Sequence, residues 1–174
     1  MATNRKIISE WFHQYSNDIY NFLVYYTGTT DVEDLVQETF IKASKGLASY
    51  KNKSSPKTWL ISIARNVAID EARKKKNKIW KQTTAFDEQN GSFQSQGTTP
   101  EHTVLMNEDK QQLYNAIMQL KKNYRDVVIL RGVKQFSIEE TADILNWKQA
   151  KVRTTYHRAL KSLRQQSGLE GDDL

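Results

Sequence analysis

The chain has 174 residues, 38% of them hydrophobic and 26% charged, with a formal net charge of +6 and an isoelectric point near 9.4. That length holds one domain or two small ones, and the basic balance favours a polyanionic partner without identifying it. With no cysteines, disulfides and thiolate metal sites are excluded; the N-terminus MATNRKIISEWF lacks the apolar run of a signal peptide, and no stretch approaches the ~20 apolar residues of a membrane span, so a cytoplasmic location is expected.

Residues 5–26 repeat an apolar face at helical spacing: Ile8, Trp11, Phe12, Tyr15, Ile19, Phe22, Leu23 and Tyr26. The aromatics share that face with the isoleucines and so read as core. Gly28 ends the helix, where a left-handed residue is commonly needed. Thr30-Asp31-Val32-Glu33 then has the pattern of a capping box. The helix it opens, about 31–47, buries Val32, Leu35, Val36, Phe40, Ala43 and Leu47. Its outward side carries Asp34, Gln37, Glu38 and Lys45 around Ile41. A lone exposed isoleucine is ordinary. Within a ring of acids and an amide it also has the make-up of a small protein-binding patch.

A polar turn, GLASYKNKSS, follows, with Tyr50, Lys51, Asn52, Lys53 and Ser54. It reads either as a solvated loop or as a surface for single-stranded nucleic acid, where lysines neutralise phosphate and an aromatic ring stacks on an unpaired base. Ser55 and Pro56 have the N-cap and first-turn character that starts a helix over 56–78. Leu60, Ala64, Val67 and Glu71, with Ile63 and Ala68 beside them, form its core stripe. The other side carries Thr58, Ser62, Arg65, Asn66, Ile69 and Arg73, and the end carries Lys74, Lys75, Lys76 and Lys78. The helix dipole accounts for one or two terminal cations. A cluster of this density is the electrostatic footprint of phosphate binding.

Periodicity then disappears. Residues 79–99, rich in Gln, Thr, Ser and Gly, read as a flexible linker between a first domain over 1–78 and a second over 100–174. Thr99-Pro100-Glu101 restarts a helix over about 101–121, packing Leu105, Leu113, Ala116, Ile117 and Leu120. YRDVVILRGV, within 124–134, is apolar nearly all round its centre and reads as buried. Ser137-Ile138-Glu139-Glu140 is a second capping box, opening a short helix with Ile138, Ala142 and Leu145 inside. Asn146 tolerates a left-handed turn, and Trp147 either packs beneath the helix that follows, the favoured reading, or reaches DNA. That helix, about 148–165, buries Val152, Tyr156, Ala159, Leu160 and Leu163 and exposes Lys151, Arg153, Thr154, His157, Arg158, Lys161 and Arg164.

A short helix, a tight turn and a longer basic helix form the helix-turn-helix pattern, whose second helix enters the major groove. The chemistry assigns roles along it. Arg153 can bond guanine bidentately, Gln149 can read adenine, and the Thr154 methyl can touch the thymine methyl. Lys148, Lys151, His157, Arg158 and Lys161 suit duplex contact, chiefly to phosphates, which position a protein without specifying sequence. The expected fold is all-α: two small helical domains joined by a linker, the second a helix-turn-helix.

The order of these parts is specific. DLVQETFIKA (34–43) precedes SSPKTWLISIARNVAIDEARKK (54–75), and YRDVVILRGVKQFSIEETADIL (124–145) precedes AKVRTTYHRALKSLR (150–164). The chain resembles a bacterial sigma factor of the extracytoplasmic-function (ECF) class, over nearly its whole length. The resemblance implies that Asp34, Gln37, Glu38 and Ile41 dock on the β′ coiled coil of core RNA polymerase, with the β subunit also a partner. It implies that the loop from Tyr50 through Lys51, Asn52 and Lys53 to Ser54 captures a flipped base of the −10 promoter element. Thr58, Ser62, Arg65, Asn66, Arg73 and Lys76 would contact that element and the duplex upstream, and the last helix would read the −35 element. An anti-sigma factor, often membrane-anchored in this class, is implied as a further partner. The sequence departs from the family in having Lys121-Lys122 where a proline is frequent, and Asn146-Trp147 where small residues are.

The other readings fit less of the chain. A helix-turn-helix regulator acting on duplex DNA without polymerase leaves the Asp34–Ile41 face and the Tyr50 loop without a role. For an enzyme, the histidines His13, His102 and His157 are dispersed, and neither metal-ligand spacing nor a Gly-rich phosphate loop occurs. No cofactor, metal or small-molecule substrate is expected.

Overall fold

A computed structural model of the chain describes residues 2–83 and 107–167. The chain divides into two units, Met1–His102 and Thr103–Leu174, and every regular element among the described residues is helical.

In the first unit, α1 (Ala2–Thr27), α2 (Glu33–Gly46) and α3 (Pro56–Thr83) each pack against the other two. Ile19, Phe22 and Leu23 of α1 meet Val36, Phe40 and Ala43 of α2 and Leu60, Ile61, Ala64, Val67 and Ala68 of α3, all buried. A side chain buried this fully contributes about 1.5–3 kcal/mol. The expected stripes hold in part: Ile61 is buried in place of Ile63, which is only partly covered, as are Ile8, Trp11, Tyr15, Tyr26, Leu35 and Glu71, and Phe12 is 42% exposed while it lies edge-on to Phe40. Gly28 adopts φ 78° after α1, its N–H donating to the Val24 carbonyl at 2.8 Å. Only glycine holds that conformation without steric cost.

The start of α2 differs from the expected capping box. The cap is Val32, which has no side-chain cap bond, and its carbonyl accepts from Val36. The Val32 side chain is fully buried. Core packing, with Glu33 and Asp34 in the first turn complementing the helix dipole, fixes this terminus. Ser55 does cap α3, its hydroxyl accepting from the Thr58 N–H at 3.1 Å. Helix α3 also outruns its expected end at 78, continuing through Thr83 and so taking in the first residues assigned to the linker. Neither Gly nor Pro occurs between Pro56 and Gly91, so nothing in the sequence stops it. The rest of the expected linker, from 84, and the helix start at Thr99-Pro100 with Leu105 lie outside the described residues.

In the second unit, α4 (Glu108–Met118) is capped by Asn107, whose side chain accepts from the Lys110 N–H at 2.8 Å. That cap begins a helix at 108. Tyr114 takes the core position expected for Leu113, which is 49% exposed. Next, α5 (Lys122–Val127) passes into a π-helical turn, Val128–Val133, in which the Lys134 N–H reaches the Ile129 carbonyl five residues back. Val127 to Leu130 are all buried, as their apolar run predicts.

The capping box of α6 (Ile138–Leu145) forms as expected: Glu140 N–H donates to the Ser137 hydroxyl at 3.0 Å, and Ser137 N–H to the Glu140 carboxylate at 2.9 Å. Asn146 turns the chain at φ 58°, ψ 46°, the left-handed region. Then α7 (Gln149–Ser167) packs Val152 and Ala159 into the core, with Tyr156, Leu160 and Leu163 partly covered. Short helix, left-handed turn and long helix make the expected helix-turn-helix.

Candidate functional site

Three surfaces hold the residues singled out by the sequence. The first is on α2. Asp34, Gln37, Glu38 and Ile41 are spaced so that one helix face carries them all, and each is exposed, Ile41 by 48%. Opposite them Val36, Phe40 and Ala43 anchor α2 to the core. The result is one apolar side chain ringed by acids and an amide on a rigid support.

The second surface is the loop entering α3 together with the outer side of that helix. Lys51, Asn52 and Lys53 are exposed, and Asn52 sits at φ 57°, a left-handed residue that bends the loop. Tyr50 is not a free ring awaiting a base. It lies edge-on to Trp11 of α1 at 5.5 Å and tilted against Trp59 of α3 at 4.8 Å, with Trp11 also edge-on to Trp59 at 6.0 Å. Its hydroxyl donates to the Ser54 carbonyl and so closes the loop. Burial, then the nearby Tyr15 phenol, push the Tyr50 phenol above its ordinary value, so it remains a donor. An open hollow of about 190 Å³ is lined by Ser49, Tyr50, Lys51, Lys53, Ser54 and Trp59. Its walls combine cations, hydroxyls and ring edges, the materials of a site for an unpaired nucleotide. The participation of Trp11 and Trp59 was missed in the sequence: Trp11 read as a core aromatic of the first helix, and Trp59 was assigned to neither face of its helix.

Along α3, Asn66, Arg73 and Lys76 are exposed, and Ser62 and Arg65 partly so. At 100° per residue these five fall within about 60° of one line on the helix surface. Ser62 also donates to the Trp59 carbonyl at 2.6 Å. Thr58 is a correction. It is 1% exposed, in the first turn, where Ser55 folds over it and donates to its hydroxyl at 2.9 Å. It belongs to the helix start and not to the outward face.

The third surface is α7 and the turn before it. Lys148, Gln149, Lys151, Arg153, Thr154, His157, Arg158 and Lys161 are all exposed, as expected. Gln149 and Arg153, one turn apart, touch at 3.4 Å, so the amide and the guanidinium share one patch near the helix N-terminus. Trp147 is half-buried, with the Lys151 ammonium 4.2 Å above its ring, so it packs at the turn and helps place that cation. Arg131 braces the helix-turn-helix from the π-helical turn, donating to the Phe136 carbonyl at 2.7 Å and lying over the Tyr156 ring at 5.3 Å. Among the described residues, no group of His, Asp and Glu has the arrangement of a metal site, and no helix is long and apolar enough to cross a membrane.

Compared with known families, sigma-70 region 2 matches residues 11–78 and sigma-70 region 4 matches residues 110–163. The ECF RNA polymerase sigma factor SigX of Bacillus subtilis is 36% identical over 175 aligned residues, covering 100% of this chain and 89% of SigX. This chain belongs to the ECF sigma factors. A second relative, the B. subtilis RNA polymerase sigma factor YlaC, is 35% identical over 162 residues and 92% of each chain. Among solved structures, the sigma factor RpoE of Bartonella quintana, crystallised with the anti-sigma factor NepR, has the same fold. It aligns with a TM-score of 0.70 over 95% of this chain and 99% of that one, at 24% identity. As an ECF sigma factor, the chain is an alternative, RNA polymerase-associated specificity factor.

Proposed function

We propose that this ECF sigma factor docks on core RNA polymerase through Asp34, Gln37, Glu38 and Ile41 and brings two separate DNA-reading surfaces to a promoter. The loop from Tyr50 to Ser54 receives an unpaired base of the −10 element. Ser62, Arg65, Asn66, Arg73 and Lys76 hold the adjoining strand and duplex. Arg153, Gln149 and Thr154 read the −35 element in the major groove, and Lys148, Lys151, His157, Arg158 and Lys161 engage its backbone. The first domain spans 1–78 in this reading, with the α3 extension leading out of it, and the second spans 100–174.

In this role the protein acts by binding and needs no catalysis. Drawing a base out of the stack costs a few kcal/mol, which a preformed site for the unpaired nucleotide offsets. The protein works in the cytoplasm, where core polymerase and promoter DNA are found. An anti-sigma factor that covers these same exposed faces would hold it inactive. The RpoE–NepR complex, and the structure of CnrH with the cytosolic domain of CnrY, motivate that partner.

The observation that carries the proposal is the coexistence, in one chain, of a cationic hollow suited to single strands and a helix-turn-helix suited to duplex. The test adds the purified chain to sigma-free core polymerase from the host bacterium and sequences the transcripts made from a genomic DNA pool. Discrete start sites sharing two upstream elements are expected. Absence of specific initiation, with core active and the chain folded, would favour the regulator that binds duplex without polymerase.

A further inference from the structure

Helix α3 runs past both the basic cluster and the end of the sigma-70 region 2 match at residue 78. On that last turn stands Trp80, 71% exposed, the most exposed large hydrophobic side chain among the described residues. An indole left this open on a surface is uncommon, because tryptophan is highly buried on average. Its position is not arbitrary. Counting back at 100° per residue, Lys76, Arg73, Ile69, Asn66, Arg65 and Ser62 all fall within about 60° of its direction, and Ser62 lies five full turns beneath it. The neighbouring cations Lys74, Lys75 and Lys78 point away from this line by more than about 100°. One straight stripe therefore runs for about 27 Å from Ser62 to Trp80 at 1.5 Å per residue.

We propose that Trp80 is a DNA contact at the far end of this stripe, stacking on a base at the edge of the opened promoter segment. The inference rests on the assignment of α3 to promoter DNA. Its own support is the alignment of the ring with Arg73 and Lys76. Cations on the stripe follow a phosphate backbone, and the chemical group of DNA that fits an uncharged, flat ring beside them is a base face. Paired bases hide their faces in a continuous duplex, so the ring needs an unpaired base or the terminal pair at a fork. Stacking of this kind tolerates any sequence, because every base has a π face. Trp80 thus adds affinity for opened DNA and no sequence preference.

The test uses the full chain bound to core polymerase and a promoter fragment from the transcript mapping, with its −10 region held unpaired. Trp80→Ala should weaken binding about 5- to 150-fold, and Trp80→Phe should restore most of it, since a ring remains. The dependence of affinity on salt should be unchanged in both, because no phosphate contact is lost. Arg73→Ala with Lys76→Ala should instead flatten the salt slope by about 0.7–0.9 per phosphate contact. If Trp80→Ala binds as the parent does while the double variant is weakened, the extension is wrong and the rest of the stripe stands. If neither change matters, the assignment of α3 to DNA fails as well. A loss of core polymerase affinity in Trp80→Ala would place the ring on a protein partner and overturn the proposal.

Discussion

Replacing Tyr50 with phenylalanine removes one group, the hydroxyl that donates to the Ser54 carbonyl, and leaves the ring in place. A hydrogen bond of this kind contributes about 0.5–1.5 kcal/mol. If the loop must be closed to take a base, apparent affinity for the unpaired strand falls by no more than the lost closed population, about 2- to 13-fold. Alanine removes the ring too, and with it the contacts to Trp11 at 5.5 Å and Trp59 at 4.8 Å. Each aromatic pair adds about 0.5–1.5 kcal/mol. The three terms sum to roughly 1.5–4.5 kcal/mol, and the effect is smaller than the sum because one ring carries them all. The assay separates two steps: duplex capture at low temperature by mobility shift, and opening by the fluorescence of a base analogue in the −10 strand. Tyr50→Ala should reduce opening by more than Tyr50→Phe does, with duplex capture nearly unchanged, so that Tyr50→Phe falls between it and the parent. Because the phenol is pushed above its ordinary value, it stays protonated between about pH 7 and 9, and the gap between tyrosine and phenylalanine should not change over that range. Equal loss in capture and opening would refute base capture by this loop. Equal behaviour of phenylalanine and alanine would refute the role of the ring contacts.

The other surfaces make shorter predictions. Ile41→Glu combined with Glu38→Lys should weaken core polymerase binding at least tenfold, as expected for an interface anchor, without changing thermal stability, since both side chains are exposed; unchanged affinity in a competition assay would remove α2 as the docking face. Arg153→Ala should relax discrimination at one −35 base pair by about 1–3 kcal/mol if it bonds a base bidentately, read from binding to a set of singly substituted promoters. A uniform loss across that set would reassign Arg153 to phosphate. Asn146→Ala should destabilise the helix-turn-helix by up to about 1–2 kcal/mol, because alanine pays the full left-handed penalty, while Asn146→Gly should not. Circular dichroism melting of the full chain would show the difference as a drop of several degrees in the transition of the second unit.

Elements whose ends are set by local chemistry were legible in the sequence. Ser137 and Glu140 cap α6 as their spacing demands, Asn146 takes the left-handed turn, and Gly28 closes α1. The exposed faces of α2 and α7 followed from helical spacing alone. The misses occurred where tertiary packing decides. Thr30 to Glu33 has capping-box residues, yet burial of Val32 puts the cap there without a side-chain bond. Thr58 shares the outward side by angle, but the chain entering from Ser55 covers it. Leu113 and Tyr114 are adjacent candidates for one core position, and hydrophobicity alone picked the wrong one. The Trp11–Tyr50–Trp59 contacts join α1 to the loop and first turn of α3, three separate elements, beyond the reach of a one-helix pattern.

Those contacts bear on how binding energy is used in the proposed opening of DNA. A loop that had to order itself around each base would lose about 1–2 kcal/mol of backbone entropy per fixed residue at the moment of capture. That loss would compete with the few kcal/mol needed to draw a base from the stack. Here the Tyr50 hydroxyl closes the loop on Ser54, and the protein's own contacts hold the ring between helices α1 and α3. Part of the ordering is therefore paid during folding by the burial that fixes α1 against α3. In the proposed strand capture Trp11 is then a positioning residue acting through Tyr50, whereas Trp59 both braces Tyr50 and lines the hollow, and α1 would influence DNA opening through its packing.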